Sequence, residues 1–253
     1  MTDLSAFPEN WWQEFFESPD SIPLSFFPSE KETDAEIAGL LEMLALRGPE
    51  RVADICCGGG RHVLRLRAQG YQVVGLDISR MMLLRAQREA GRRACPLVRG
   101  DARYLPFRSG SLEVVLNLFN SFGYCETDAE NEAVFQEAAR CLAPGGQFLL
   151  ETRNPQYQIL FAPVRQTVAA SRGRKLVVGW RYDRETHRLS SEWRSGSNLE
   201  EVVYRASLRL YQVEELQAMA ARAGLEEVGI YGGYGGEPFT GWERLLVYHG
   251  RKA

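Results

Sequence analysis

Apolar residues recur in two different rhythms along this chain. Up to about residue 154, short apolar runs alternate with stretches of helical spacing. "ERVADI" reads as a strand over 51–56, and "RHVLRLRAQG" carries apolar residues at helical spacing over 61–69 before Gly70 stops it. The order continues as strand 72–76, helix 79–91, strand 96–99, strand 112–118, helix 128–142 and strand 146–152. Upstream, "SEKE" at 29–32 reads as a capping box opening a helix that ends near Arg47. Before that, "WWQEFF" and "SIPLSFFPSE" predict a short helix and an aromatic arm packed onto the body. Strands alternating with helices imply an α/β fold, a parallel sheet with helices on both faces.

After Asn154 the helical period fades and alternation takes over, from about 163 to 211. In "VVYRASLRLY" one face carries Val202, Tyr204, Ala206, Leu208 and Leu210, and the other Val203, Arg205, Ser207, Arg209 and Tyr211. "KLVVGWRYD" and "HRLSSEWRSG" read as similar strands. Helix 213–223 and strands 226–231 and 243–250 then restore the first pattern. The expected organisation is a core of 1–154 and 212–253, interrupted by an antiparallel β insertion over 155–211. Such an insertion follows the strand carrying Glu151, at the end of the sheet where open α/β folds bind ligands, so it reads as a cap over a site. Strand edges also pair readily between copies, which leaves monomer and homodimer both open.

Composition changes this picture little. The 253 residues are 45% hydrophobic and 25% charged, enough for one sizeable core. No apolar run approaches the roughly 20 residues of a membrane span, and the start lacks the pattern of a signal peptide. An adjacent pair, Cys56 and Cys57, and the scattered Cys95, Cys125 and Cys141, with no C-x-x-C spacing, suit reduced thiols in a cytoplasm, and with three separated histidines they give no reason to expect a metal site. The net charge of −3 argues against a nucleic-acid partner, the arginines between Arg80 and Arg93 reading as a solvated helix face.

The chemistry concentrates in "DICCGGGRH", residues 54–62, a glycine loop between strand and helix. Such a loop offers backbone N–H groups and a helix N-terminus to a ligand. Asp77 ends the next strand, where a carboxylate accepts from both hydroxyls of a ribose diol. Asp101 follows the third strand beside the same cleft, in position to accept from an exocyclic adenine amine. The nicotinamide fingerprint G-x-G-x-x-G is incomplete here, with Val63 at its last position.

Residues 51–152 resemble the class I S-adenosylmethionine-dependent methyltransferases, through "VADICCGGG", "VVGLDIS", "RGDARYLPF", "LEVVLNLFNSFGY" and "LAPGGQFLLET". The resemblance implies a Rossmann-like, seven-stranded, mostly parallel sheet whose last strand is antiparallel. It implies that Asp54, Gly58 and Gly60 hold the methionyl end of S-adenosylmethionine. Asp77 would bind the ribose, Ile78 and Met82 would line the adenine pocket, Asp101 and Ala102 would meet the adenine edge, and Asn117 would lie near the sulfonium. The family's usual glycine is replaced by Cys56, a compact residue that lets the loop survive but makes a backbone contact there less secure. A nicotinamide dehydrogenase and a non-catalytic nucleoside-binding regulator are the alternatives.

Methyl transfer from a sulfonium is an in-line displacement with an already activated donor, so the protein must position the acceptor, exclude water and handle a proton. "NLFNSFGY" stands where enzymes acting on base amines carry N/D-P-P-Y/F, which points to a small-molecule acceptor. Trp12, Phe122, Tyr124, Trp180, Tyr182 and Trp193 are candidates for an apolar acceptor pocket. Tyr124, Glu151, His62, His187 and Tyr211 are candidate proton acceptors, with His62 expected to face solvent as readily as the site. Whether nitrogen, oxygen or carbon is methylated stays open.

Overall fold

The computed structural model describes residues 10–18, 27–91, 95–162, 164–169, 175–195 and 201–253. The arm contributes helix α1 (Trp11–Glu17), and α2 spans Glu30–Met43. Alternation then gives β1 (Arg51–Ile55), α3 (Arg61–Ala68), β2 (Gln72–Asp77), α4 (Arg80–Ala90), β3 (Leu97–Arg99), β4 (Leu112–Asn117), α5 (Asp128–Cys141) and β5 (Leu142–Arg153). A short α6 (Pro155–Phe161) leads into β6 (Val164–Ala169), β7 (Lys175–Asp183), β8 (Arg188–Ser195) and β9 (Glu201–Arg209). The chain closes with α7 (Val213–Arg222), β10 (Leu225–Tyr231) and β11 (Leu245–Lys252).

The large sheet has seven strands in the order β10-β11-β5-β4-β1-β2-β3. β1 pairs parallel with β2 and β4, β2 with β3 and β4 with β5, whereas β11 runs antiparallel to β5 and β10. The resemblance implied this arrangement. Successive strand residues serve opposite faces. Ala53, Ile55 and Val115 join the core with Val134 and Phe135 of α5 and Leu216 and Met219 of α7. Val52, Val114 and Leu116 join Ile37 and Leu40 of α2 with Val63 and Leu66 of α3. Both faces are therefore covered, which is why these strands read as continuous apolar runs.

Capping chemistry sets several boundaries. Ser29 accepts from the Glu32 amide while Glu32 accepts from the Ser29 amide, and Thr127 with Glu130 repeats the pattern at α5. α2 stops at Met43 rather than near Arg47. Ala45 turns into the left-handed region at φ 50°, its amide bonding Glu42 O and the Leu46 amide bonding Leu41 O. This is a Schellman stop with alanine where glycine usually signals it. Inside the segment assigned to the β insertion, before its alternating part, lies α6, opened by Asn154, whose side chain accepts from the Gln156 amide, and by Pro155 at the first helical position.

The second sheet is antiparallel, in the order β6-β7-β8-β9. Its seat on the core is fixed at Gly123. The Arg209 amide bonds Gly123 O at 2.8 Å. A Cβ at position 123, where φ is 95°, would stand 2.1 Å from Arg209 O. Only glycine permits that approach.

Candidate active site

The chain order reverses between β1 and β4, so their carboxyl ends open the crevice in which open α/β sheets hold ligands. Asp54 stands at that end of β1 and is 1% exposed. Its Oδ2 has no hydrogen-bond partner, and burial pushes its carboxyl up to about 7, with Arg61 opposing the shift and Asp77 adding to it. Asn117, at the end of β4, likewise has a buried Oδ1 without a partner. Two unpartnered acceptors beside a glycine loop fit the charged methionyl end of S-adenosylmethionine, whose ammonium would donate there and keep Asp54 ionised.

Cys56 takes the loop through φ 62°. A β-carbon is costly there, which is the physical reason for glycine at this position in the resembling family. Asn117 Nδ2 donates to its sulfur at 3.9 Å, and burial raises both the Cys56 and Cys57 thiols, so neither is a ready nucleophile. All five cysteines are free.

Asp77 accepts the Gly58 and Ser79 amides, each at 2.8 Å, so it holds the glycine loop against the start of α4. Each oxygen keeps a further lone pair for a hydroxyl. Burial raises this carboxyl as well, against the lowering effect of those amides. Asp101 is more heavily committed. It receives the Arg103 amide at 2.9 Å and Arg103 Nη2 at 2.7 Å, and Arg103 also pairs with Glu130 and lies over the Trp12 ring.

A cavity of about 760 Å³ begins at this cradle, lined by Cys56, Gly58, Asp77, Ile78, Met82, Asp101 and Ala102. Asp54, Gly60 and Asn117 stand outside its lining. The cavity continues past Phe122 and Tyr124 to Trp180 of β7, Trp193 of β8 and Leu208 of β9. α1 closes the side of the cavity that carries Ile78 and Met82. Ser79 Oγ donates to Phe16 O at 2.8 Å, and the Glu17 carboxylate accepts the Arg80 and Met81 amides at the N-terminus of α4. Phe15 meets Trp193 and Tyr204 edge-on, and Phe16 meets Tyr124, tying the arm to the second sheet.

Of the residues expected at the acceptor pocket, Trp12, Phe122, Tyr124, Trp180 and Trp193 line the cavity. Tyr182 does not, because its hydroxyl is turned to His187 Nδ1 at 2.9 Å. Tyr124 and Glu151 are the candidate proton acceptors that reach the cavity. Burial pushes Tyr124 up to about 12, so it remains a neutral phenol. Glu151 is 3% exposed and raised by burial, and its Oε2 accepts from Tyr234 at 2.5 Å and from the Phe119 amide at 3.0 Å. His62 faces neither solvent nor site. It is 4% exposed, bonded through Nε2 to Glu36 at 3.2 Å, and lowered to about 4 by burial. Tyr211 lies beneath Phe122 and donates to Asp128 at 2.7 Å, while His187 partners Tyr182.

Sequence reasoning missed Arg153, Tyr157, Gln158 and Arg244, all on the cavity wall. The Asn-Pro pair before α6 was the one available signal for Tyr157 and Gln158. A lone arginine ending a strand reads as a solvated charge until the tertiary fold encloses it.

A family model described as a methyltransferase domain matches residues 52–146. The chain is 30% identical over 215 residues to the cypemycin N-terminal methyltransferase of a Streptomyces species, covering 83% of this chain and 87% of that one. The structure of the CcbJ methyltransferase from Streptomyces caelestis matches with a TM-score of 0.78 at 23% identity, over 94% of this chain and 98% of that chain. CalS10 of Micromonospora echinaspora, an amino pentose methyltransferase solved with S-adenosylmethionine bound, matches with a TM-score of 0.64 at 23% identity, over 87% and 92% of the two chains. At this identity the two structures establish a shared fold.

Proposed function

This chain belongs to the class I S-adenosylmethionine-dependent methyltransferases, and from that premise we propose that its acceptor is a small molecule bound beneath the second sheet. The observation that carries the reading is the continuity of one cavity from the glycine-loop cradle to β7, β8 and β9. Its volume of about 760 Å³ falls in the usual range for small-molecule sites. α1 and the second sheet meet over it, leaving a narrow site unsuited to a duplex. In this reading residues 155–211 act as the cap, and the core of 1–154 and 212–253 carries the cofactor. The amino pentose acceptor in the name of CalS10 supports an acceptor of this size class. Free, mostly buried thiols suit a reducing, cytoplasmic setting.

The cofactor supplies an activated methyl group, so no strong base is needed to create the electrophile. The chain's own residues supply binding, orientation and a place for the acceptor's proton. Asp54 and Asn117 hold the methionyl end, Asp77 the ribose, and Ile78, Met82, Asp101 and Ala102 the base. The aromatic wall of Trp12, Phe122, Tyr124, Trp180 and Trp193 excludes water. Glu151 receives the proton, because burial brings this carboxylate nearer neutrality than a solvated one. The test is an acceptor screen by mass spectrometry for gain of one methyl, run beside calorimetry with S-adenosylhomocysteine. Glu151→Gln should reduce kcat at least tenfold with cofactor affinity kept, whereas an unchanged pH–rate profile in that variant would remove Glu151 from the mechanism. If Trp180→Ala leaves KM for the acceptor unchanged, the cap reading fails.

A further inference from the structure

We propose that the methyl acceptor carries an anionic group, a carboxylate or a phosphate, which Arg153 and Arg244 hold at the β5 side of the cavity. The inference rests on the reading that this cavity holds the acceptor. Arg153 is the last residue of β5, and β5 lies beyond β4 from β1, so it stands across the crevice from the β2 and β3 ends that carry Asp77 and Asp101. Its side chain is half-buried and lines the cavity. Arg244, just before β11, lines it too. The two are held as neighbours. The Asn154 amide bonds Arg244 O at 3.1 Å, and Asn154 Nδ2 donates to Gly241 O at 2.8 Å and Glu243 O at 2.7 Å.

Three other enclosed arginines face carboxylates, Arg61 with Glu36, Arg103 with Asp101 and Glu130, and Arg209 with Glu215, and Arg188 is satisfied instead by Ser207 Oγ and the Cys125 carbonyl. Among the described residues no carboxylate lies within ion-pair distance of Arg153, and Asn120 Oδ1 engages only its backbone amide, at 3.2 Å. Glu151 lies two residues earlier on the same strand face, but its bonds go to Tyr234 and the Phe119 amide. Burial lowers the Arg153 guanidinium from its ordinary value, and the Arg244 charge acts against it, with Tyr124 and Glu151 only partly compensating. A half-buried guanidinium with a second, solvent-exposed cation beside it favours a counter-charge entering the cavity. Carboxylates already on the wall do not do so: Asp101 belongs to Arg103, and Asp77 receives the amides of the cradle. Guanidinium is suited to the task, since its fork meets two oxygens of one oxyanion.

The test uses the wild-type protein saturated with S-adenosylhomocysteine at low salt, titrated with inorganic pyrophosphate or with benzoate and followed by calorimetry and thermal shift. At least one anion should bind, with affinity reduced at least tenfold in Arg153→Ala, reduced in Arg244→Ala and partly restored in Arg153→Lys. Binding of pyrophosphate alone would assign a phosphate, and of benzoate alone a carboxylate. S-adenosylhomocysteine affinity should stay unchanged in all three variants. If neither anion binds, or if binding persists in Arg153→Ala, the proposal is overturned. Loss of S-adenosylhomocysteine binding in Arg153→Ala would also overturn it, by placing the guanidinium on the cofactor. Wild-type protein that binds no S-adenosylhomocysteine would instead undo the cofactor reading on which the proposal stands.

Discussion

Replacing Asp54 with Asn removes a charge while keeping the side chain's size and its place at the carboxyl end of β1. Burial lifts this carboxyl from an ordinary 3.8 to about 7, which corresponds to a penalty of about 4 kcal/mol for the ionised form at pH 8. The sign follows from proton binding. The folded state holds this proton more tightly than the unfolded chain, so the penalty is absent below about pH 4, grows as pH rises towards 7, and is complete above it. The substituted amide carries an unpaired polar group of its own, costing about 1–3 kcal/mol, so the net gain without cofactor is about 1–3 kcal/mol. At about 3 °C per kcal/mol for a chain of this size, Tm should rise by about 3–9 °C at pH 8. The gain should shrink towards zero or reverse at pH 5. Cofactor binding should move the opposite way, because the charge-assisted bond to the ammonium contributes about 1.5–3 kcal/mol, at least a tenfold change in Kd. Thermal denaturation at the two pH values, with and without S-adenosylmethionine, reads both effects. A variant less stable than wild type at pH 8 without cofactor, or one with unchanged affinity, would refute the reasoning.

Asp77→Ala should weaken S-adenosylmethionine binding at least tenfold, since it removes the ribose acceptor and releases the Gly58 and Ser79 amides together; unchanged affinity by calorimetry would count against the assignment. Cys56→Gly should keep cofactor affinity and stability within about 1 kcal/mol, because relief of the left-handed backbone offsets the greater freedom of glycine in the unfolded chain; a thiol-dependent loss of turnover would contradict it. Gly123→Ala should unseat the second sheet, cutting turnover severalfold and reddening tryptophan emission as Trp193 is exposed, while unchanged emission and turnover would show that the seat lies elsewhere.

The large sheet was legible because its strands and helices are local patterns. Apolar runs bounded by glycine, the capping box at Ser29, and the loop at 56–60 each act over a few residues. The second sheet was legible for the same reason, since alternation between Val202 and Tyr211 is a property of one strand. The end of α2 was not, because a left-handed alanine at 45 carries no compositional mark and is held by the surrounding hydrogen bonds. The proposed ribose carboxylate Asp77 was visible from its strand end and Asp54 only through the family resemblance, but that Asp54 Oδ2 lacks a protein partner is a matter of burial, which only packing decides. His62 and Tyr182 show the converse. Their residue types suit chemistry, yet Glu36 and His187 hold them away from the cavity. Arg153 and Arg244 stand 91 positions apart and meet because β11 lies against β5, an encounter between distant segments that leaves no trace in the periodicity of either.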